Sequence, residues 1–171
     1  MTDVGEALWN ASVRPADYAA GNERYQAAVL EQYKLCVEMA DRVSSRRSLT
    51  NTFFLSLNSA VAATLGALGG GLARAPFWLL LGGAVVLLTQ CVAWFLIIRS
   101  YRLLNAAKYA VIGAIEERLP AYAYSRAEWK ALGEGKDWRK YMPLTHVEQW
   151  VPLVFALTYL LGFFAAVRSG A

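Results

Sequence analysis

The sequence is short of the residues that build metal centres and disulfide-stapled domains. Its 171 residues include one histidine, His146, and two cysteines, Cys36 and Cys91. One histidine excludes a histidine-based metal cluster within a single chain, although a ring of His146 side chains across an oligomer stays open. Two cysteines set no disulfide framework, and we expect both thiols to be buried. We therefore predict no metal site and no redox pair.

Catalytic and nucleotide-binding motifs are missing as well. The segment 133–137 resembles a phosphate loop only superficially, because Lys130 and Asp137 stand where that motif needs a glycine and a hydroxyl residue. Glu116 and Glu117 are neighbours on a predicted helix and point in different directions, so they form a poor acid–base dyad. We predict no catalytic residue, no cofactor and no enzymatic activity.

Formal charge is also scarce. Charged residues make up 18% of the chain against 57% hydrophobic residues, and the mean hydropathy of +0.31 is too high for an ordinary soluble domain. The net charge of +4 is modest and typical of membrane proteins with basic cytoplasmic loops, so we predict no nucleic-acid partner. The N-terminal residues lack the apolar core of a secretory signal, and we expect the spans to direct insertion.

Three stretches of the chain, 48–73, 75–98 and 149–167, contain no formal charge and are long enough to cross a hydrocarbon core of ~30 Å as helices. They predict an all-α polytopic membrane protein with three transmembrane helices, at 49–72, 75–98 and 149–168. The connection between the first two is very short and contains Gly69 and Pro76, which predicts an antiparallel hairpin.

The second apolar run continues into a polar segment without a helix breaker. Arg99 follows the run directly, apolar residues keep their helical spacing, and Pro120 stands just beyond the end of the pattern. We predict one helix from Ala75 to Leu119, about 44 residues and roughly 65 Å long. Its last third would project into water with an apolar stripe that needs a partner.

Two further segments complete the predicted organisation. Residues 1–48 form an N-terminal arm and an amphipathic helix at 23–48, and residues 99–148 form a helix extension and a polar loop. Within that loop, Ser125 and Glu128 match a capping box for a short helix that would stop near Gly133.

The orientation follows from the distribution of lysine and arginine. Six precede the first span, one lies between the first two, nine lie between the second and third, and one follows the third. The positive-inside rule places the N-terminus and the segment 99–148 in the cytoplasm and the C-terminus outside.

Small residues recur every four positions along the first span, together with one amide. Such a face allows close helix approach, and an asparagine can hydrogen-bond across the contact. We prefer helix packing to a polar pore wall, which remains the alternative. The candidate packing residues there are Asn58, Ala62, Gly66 and Gly70.

Below the membrane, we expect the apolar stripe of the long helix to pack in an oligomer, where an amide on an apolar face needs a hydrogen-bond partner. The candidates are Leu104, Asn105, Val111 and Ile115. Basic residues at the ends of the apolar runs are expected to contact lipid headgroups. These are Arg46, Arg47, Arg99 and Arg102.

The sequence from 99 to 152 resembles the RipA-type family of small bacterial membrane proteins, and the similarity extends over roughly residues 22–167. The residues that carry it are Arg99–Arg102, Leu104–Asn105, Lys108–Tyr109, Val111–Ile112, Ile115–Glu116, Leu119–Pro120, Glu128–Trp129 and Glu148–Pro152. The resemblance implies a cytoplasmic N-terminal helix, three spans and an octameric ring in the bacterial inner membrane. It implies no shared reaction and no catalytic residues.

We therefore expect a non-enzymatic homo-oligomeric ring that acts as a scaffold or pore, and the resemblance implies eight subunits. The alternative is a regulated channel or membrane-permeabilising effector, because a cytoplasmic helix before a tight membrane hairpin is similar to two-span effectors of anti-phage systems. The third span departs from that plan. The expected partners are other copies of the chain and membrane lipids, and an unidentified cytoplasmic partner stays open.

Overall fold

The computed structural model describes residues 4–10, 12–18, 22–133 and 144–170, and every regular element in them is helical. The prediction of an all-α chain is confirmed. In chain order the elements are α1 (Val4–Leu8), a 3-10 turn (Pro15–Asp17), α2 (Asn22–Leu68), a second 3-10 turn (Gly69–Arg74), α3 (Phe77–Glu116), a π-helical turn (Ala123–Glu128), α4 (Trp129–Ala131) and α5 (Leu144–Gly170).

Three of these helices are long and apolar enough to cross a membrane, as the sequence predicts. They are α2 with 47 residues, α3 with 40 residues, and the 23-residue stretch Val147–Ser169 of α5. Their most apolar windows have mean hydropathies of 1.2, 2.2 and 2.0, so α2 is the most polar of the three.

A single helix, α2, covers both the predicted amphipathic helix at 23–48 and the predicted span at 49–72 except for its last residues. No proline or glycine interrupts the sequence between Asn22 and Gly66, so every backbone N–H can join the helix. The hydroxyls of Thr50 and Thr64 donate to carbonyls four residues earlier, at 2.9 Å each. These bonds satisfy polar side chains without a neighbouring helix.

The observed helix α3 is slightly shorter at both ends than the predicted helix from Ala75 to Leu119. It begins directly after Pro76, whose ring suits the first turn of a helix. Beyond Glu116, the N–H groups of Arg118 and Leu119 donate to carbonyls three residues earlier, at 3.0 Å each. These tighter turns end the α-helix.

The predicted capping box at Ser125 is not formed. Residues 123–128 make a π-helical turn, α4 has no side-chain cap, and the Ser125 hydroxyl donates to the Glu116 carboxylate instead. Both Ser125 donors, the hydroxyl and the backbone N–H, are bound to the buried Glu116 carboxylate, so Ser125 does not cap the short helix. The short helix ends at Ala131, close to the predicted stop, and Gly133 has a φ of 77° that favours glycine.

The described residues fall into two compact units. The charged unit is drawn from Met1–Ser45 and Arg102–Met142, and the span unit from Arg46–Tyr101 and Pro143–Ala171. The helices α2 and α3 contribute residues to both units, whereas α5 belongs to the span unit.

Aromatic stacking organises the core of the span unit. The Trp94 side chain has no solvent exposure and stacks on Phe54, with ring centroids 5.7 Å apart and an interplanar angle of 11°. On another side Trp94 meets Phe155 at 6.0 Å, and its indole N–H donates to the amide oxygen of Asn51 at 3.1 Å. The buried indole N–H therefore has a polar partner, as is usual for a buried tryptophan.

The core of the charged unit is smaller and aliphatic. Val29, Ala40 and Val43 of α2 are buried there, together with Ile112 and Ile115 of α3. Their spacing of three or four positions on each helix produces one buried face per helix. The opposite faces carry the charged side chains and also several large apolar ones.

Candidate functional site

An apolar groove lies between α2 and α3 in the charged unit, with a volume of about 320 Å³. Its lining contains one cation and no acidic residue. The lining residues are Leu35, Cys36, Met39, Ala107, Lys108 and Val111. We call this surface the apolar groove.

Large apolar side chains are exposed in and around the apolar groove. Leu35 is 53% exposed and Met39 is 47% exposed, while Leu103 and Leu104 on α3 are 58% and 45% exposed. Charged residues interrupt the surrounding sequence, so this part of the chain differs from the uncharged spans that lipid can cover. An exposed apolar surface of this kind is typical of a protein-interaction site.

A fully buried carboxylate, Glu116, holds the segment that follows α3. One carboxylate oxygen accepts the Tyr33 hydroxyl at 3.0 Å and the Tyr124 backbone N–H at 2.9 Å. The other accepts the Ser125 N–H at 2.9 Å and the Ser125 hydroxyl at 2.5 Å. Gly113 makes room for this contact, because a Cβ at that position would lie 3.3 Å from the Ser125 Cβ.

These hydrogen bonds determine the protonation of Glu116. Burial alone raises the pKa of a carboxyl group, but the bonds from Ser125, Tyr124 and Tyr33 outweigh burial and hold the pKa of Glu116 below its ordinary value. Burial and the adjacent carboxylate together raise the pKa of Tyr33 to about 12. The pair is therefore a carboxylate and a neutral phenol at neutral pH, which suits a structural anchor better than proton transfer.

The sequence did not reveal this anchor. From sequence, Glu116 is half of a poor dyad with Glu117 and one of the residues that carry the family resemblance, and neither observation predicts a buried anchor. Its position at a helical interval from the buried Ile112 is the signal that could have placed it inside. Its partners Tyr124 and Ser125 depend on the chain reversal after α3, which no motif predicts.

The N-terminal arm contacts the rest of the charged unit through Arg118. The Arg118 guanidinium lies 3.4 Å above the centroid of the Trp9 ring and also donates to the Tyr25 hydroxyl at 2.9 Å. Tyr25 meets Tyr18 edge-on at 5.6 Å. A second cavity of about 210 Å³ lies beside these rings, with Val29 in its lining. The arm thus covers the start of α2 with aromatic side chains.

In the span unit, Asn58 is fully buried in a polar contact with the third span. The Tyr159 hydroxyl donates to the Asn58 amide oxygen at 2.9 Å, and the Cys91 thiol lies 3.9 Å from the same oxygen. The amide nitrogen donates to the Phe54 carbonyl at 2.8 Å. Residues from all three candidate spans therefore meet at this amide.

The other predicted packing residues of the first span lie in different surroundings. Ala62 is half-buried, and Gly66 is exposed with no atom within 4 Å of a Cβ built on it. Gly70 falls in the 3-10 turn after α2. The stripe therefore turns from the interior of the span unit at Asn58 to its surface at Gly66, because a spacing of four drifts around a helix of 3.6 residues per turn.

A row of small and hydroxyl residues forms an exposed face of α2 in the span unit. Thr52, Ser56, Ser59 and Gly66 recur on this face at spacings of three, four and seven, and all are exposed. We call it the hydroxyl face. It gives one side of the first apolar run a polar surface.

The predicted packing residues of α3 are also divided between interior and surface. Ile115 is buried, Val111 lines the apolar groove, and Leu104 is largely exposed. The Asn105 amide nitrogen donates to the Ser44 hydroxyl at 3.1 Å, and its carbonyl oxygen has no hydrogen-bond partner among the described residues. The structure thus gives Asn105 a partner within its own chain.

The four predicted lipid-facing arginines are not equivalent. Arg46 and Arg99 are exposed, and Arg102 is half-buried. Arg47 lies 3.5 Å from the Glu148 carboxylate, and both side chains are less than 20% exposed, at 15% and 18%. Arg47 is therefore engaged in an ion pair inside the protein, whereas the side chains of Arg46 and Arg99 are exposed.

Potential metal ligands are dispersed in the described parts of the chain. Within residues 4–10, 12–18, 22–133 and 144–170, no three histidine, cysteine, aspartate or glutamate side chains come close enough to hold a metal ion. The His146 side chain lies outside what the structure describes. The apolar groove and the hydroxyl face are surfaces that suit contact with another protein chain.

Comparison with known proteins gives one match. The sequence model of the octameric membrane protein family (8xMP) matches residues 30–168. The match includes the apolar groove, Glu116 and all three apolar runs, and it begins after the N-terminal arm. No curated protein and no solved structure matches the chain.

Proposed function

The chain belongs to the octameric membrane protein family, and from this premise we propose that it forms a homo-octameric ring in the bacterial inner membrane. The ring acts as a scaffold or pore and performs no catalysis. A closed ring is the usual symmetry by which identical subunits bury all their interacting faces.

The observation that carries this proposal is the exposed apolar surface of the charged unit. Leu35, Met39 and Leu104 are each about half exposed on helices whose neighbouring positions are charged. Lipid would cover apolar side chains in the spans, but in the proposed membrane placement it does not reach these residues. Contact with another subunit would remove them from water.

Covering these exposed side chains contributes favourably to assembly. Complete burial of a leucine or methionine side chain stabilises by about 1.5–3 kcal/mol, so covering the exposed half of each contributes roughly 1 kcal/mol. Three such residues per contact, repeated around a ring, favour a closed oligomer over monomers whose spans already restrict them to one plane.

The proposed orientation follows from the arrangement of basic residues. The N-terminus and the charged unit lie in the cytoplasm, and the C-terminus lies outside. Arg46 and Arg99 then face the inner headgroup layer, where anionic lipids are their counter-charges. Arg47 lies near the same headgroup layer, but its guanidinium group pairs with the Glu148 carboxylate inside the protein.

Native mass spectrometry of the protein in nanodiscs tests the octamer. We expect one dominant species at eight times the chain mass of 18.9 kDa, which is about 151 kDa before bound lipid is added. Class averages of the same sample should show eight-fold symmetry. A monomer or dimer at micromolar concentration would overturn the proposal.

A conducting pore is a second candidate because of the hydroxyl face of α2. Thr52, Ser56 and Ser59 expose hydroxyl groups on one side of a helix that is apolar enough to span. If this face lines the centre of the ring, water and ions could pass along it. Alternatively, the same face packs against the next subunit.

Ion flux from proteoliposomes separates these two roles. A pore predicts flux that falls when Ser59 is replaced by leucine, because the hydroxyl row is interrupted in the membrane. A Ser169→Ala variant is the control, because that hydroxyl only bonds to the Ala165 and Ala166 carbonyls of its own helix. An octamer without flux would favour the scaffold and exclude the channel or effector role.

A further inference from the structure

We infer that neighbouring copies meet through the apolar groove of one and a small-residue face on α3 of the next. The inference rests on the proposed octamer and specifies its contact. In a cyclic ring each subunit presents two different surfaces, one to each neighbour. The charged unit has two such surfaces side by side on α3.

The first surface is the apolar groove. Leu35 and Met39 form one wall and Ala107 and Val111 the other, with the alanine leaving space between larger side chains. The groove runs along the helices, since its residues on α2 recur at a spacing of four and those on α3 likewise. Side chains from a helix laid lengthwise along this direction could contact both walls.

The second surface is a row that we call the alanine ridge, formed by Leu103, Ala106 and Ala110. All three side chains are exposed, and Leu103 is 58% exposed. Their spacing of three and four places them on one line along α3. A ridge with one large and two small side chains allows close approach of a neighbouring helix, with the leucine as its anchor.

The two surfaces lie at the same level of the helix. Ala106 precedes the groove residue Ala107, and Ala110 precedes Val111, so each ridge position is about 100° around the helix from a groove position. Rotation about a ring axis moves a subunit sideways without shifting it along that axis. A ridge and a groove at matching levels can therefore meet in every copy around a ring.

Another copy of the chain fits this groove better than a free amphiphile does. Membership of an octameric family requires contacts between copies, and the groove and ridge lie inside the matched residues 30–168. The exposed ridge would remain unexplained if a lipid chain occupied the groove.

The first test fills the groove. Ala107→Trp places a large ring in the space that the partner helix would occupy, and we expect the octameric fraction in nanodiscs to fall roughly tenfold. Ala27→Trp is the matched control, because Ala27 is also exposed on a helix of the charged unit but lies in neither surface. The control should remain octameric.

The second test detects the contact by cross-linking and leaves the groove unfilled. Cys36 lies in the groove, and an Ala106→Cys variant adds a thiol to the ridge. A short bismaleimide should link the Cys36 of one copy to the new thiol of the next and give a ladder that ends at eight chains. The wild type and an Ala27→Cys variant should give no ladder.

The outcomes distinguish this inference from the octamer on which it rests. Loss of octamers in Ala107→Trp, or a ladder in Ala106→Cys, supports the contact. An octameric wild type with an octameric Ala107→Trp variant and no ladder overturns the contact and leaves the octamer standing. A bound lipid mass that only Ala107→Trp removes assigns the groove to lipid and also overturns it. If the wild-type protein is not octameric, the proposed function itself is overturned.

Discussion

The Ser125 hydroxyl lies 2.5 Å from a carboxylate oxygen of Glu116, a side chain with no exposure to solvent. The same carboxylate accepts three further hydrogen bonds, from Tyr33 and from two backbone N–H groups. One side chain therefore fixes both the partner helix α2 and the chain reversal after α3. We expect the charged unit to depend on it.

Replacing Glu116 by glutamine should destabilise the charged unit by about 2–4 kcal/mol. The amide has one acceptor oxygen instead of two. Its NH₂ group would therefore face either the N–H and hydroxyl of Ser125 or the Tyr33 hydroxyl and the Tyr124 N–H, and those donors would lose their acceptor. Thermal unfolding in detergent, followed by limited proteolysis of residues 117–133, measures the effect.

Glu117→Gln is the control for this substitution, because the neighbouring side chain is exposed. It should change stability by less than about 0.5 kcal/mol. Equal stability of the two variants would show that Glu116 does not anchor the segment.

The stabilisation by Glu116 should be lost in acid. Its pKa is lowered in the folded protein, so the contribution is complete above the ordinary carboxyl pKa of about 4.3 and disappears as pH falls through the lowered folded-state value. The difference in unfolding temperature between the wild type and Glu116→Gln should be constant from about pH 6 to 8 and shrink below about pH 4. A difference that grows on acidification would contradict the assigned direction.

Replacing Tyr159 by phenylalanine should weaken the span unit by about 1 kcal/mol. The change removes the hydroxyl that donates to Asn58 at 2.9 Å and keeps the aromatic ring. Hydrogen bonds between membrane helices are typically worth about 0.6–1.7 kcal/mol. Unfolding by denaturing detergent provides the measurement.

Thr158→Val tests whether the Tyr159 effect is specific. The Thr158 hydroxyl donates only to the Val154 carbonyl of its own helix, at 2.9 Å. Its loss should therefore leave the contact between spans unchanged. If both variants behave alike, the bond to Asn58 contributes nothing beyond local helix structure.

Replacing Gly66 by leucine should reduce the octameric fraction if the surface around Gly66 packs against a neighbouring copy. Apart from the adjoining backbone of its own helix, no atom of the described residues lies within 4 Å of a Cβ at this position, so the substitution meets open space in the chain itself. Gly82→Leu on α3 has equally open surroundings and serves as the control. An unchanged particle mass for Gly66→Leu would exclude this surface from the assembly.

Hydropathy and helical spacing predicted the all-α class and three helices able to span, because both depend on local composition. Helix α2 continues through residue 48 because no proline or glycine interrupts it, which is also a local cause. The change from charged to apolar sequence at that point instead favours two separate segments, and that prediction of a boundary is not matched by the helix. The partners of buried polar groups were beyond prediction. Tyr159 and Asn58 are 101 positions apart, and only packing brings them together.

That separation also sets an order of events during synthesis. Asn58 enters the membrane with the first span, whereas Tyr159 is made 101 residues later, which takes a ribosome roughly 5–20 s. Until then the amide oxygen has only a thiol near it, at 3.9 Å. The first two candidate spans therefore lack this hydrogen bond until α5 has been made. A chain truncated before α5 would lack the Tyr159 hydroxyl, and the Asn58 oxygen would keep only the weak thiol contact.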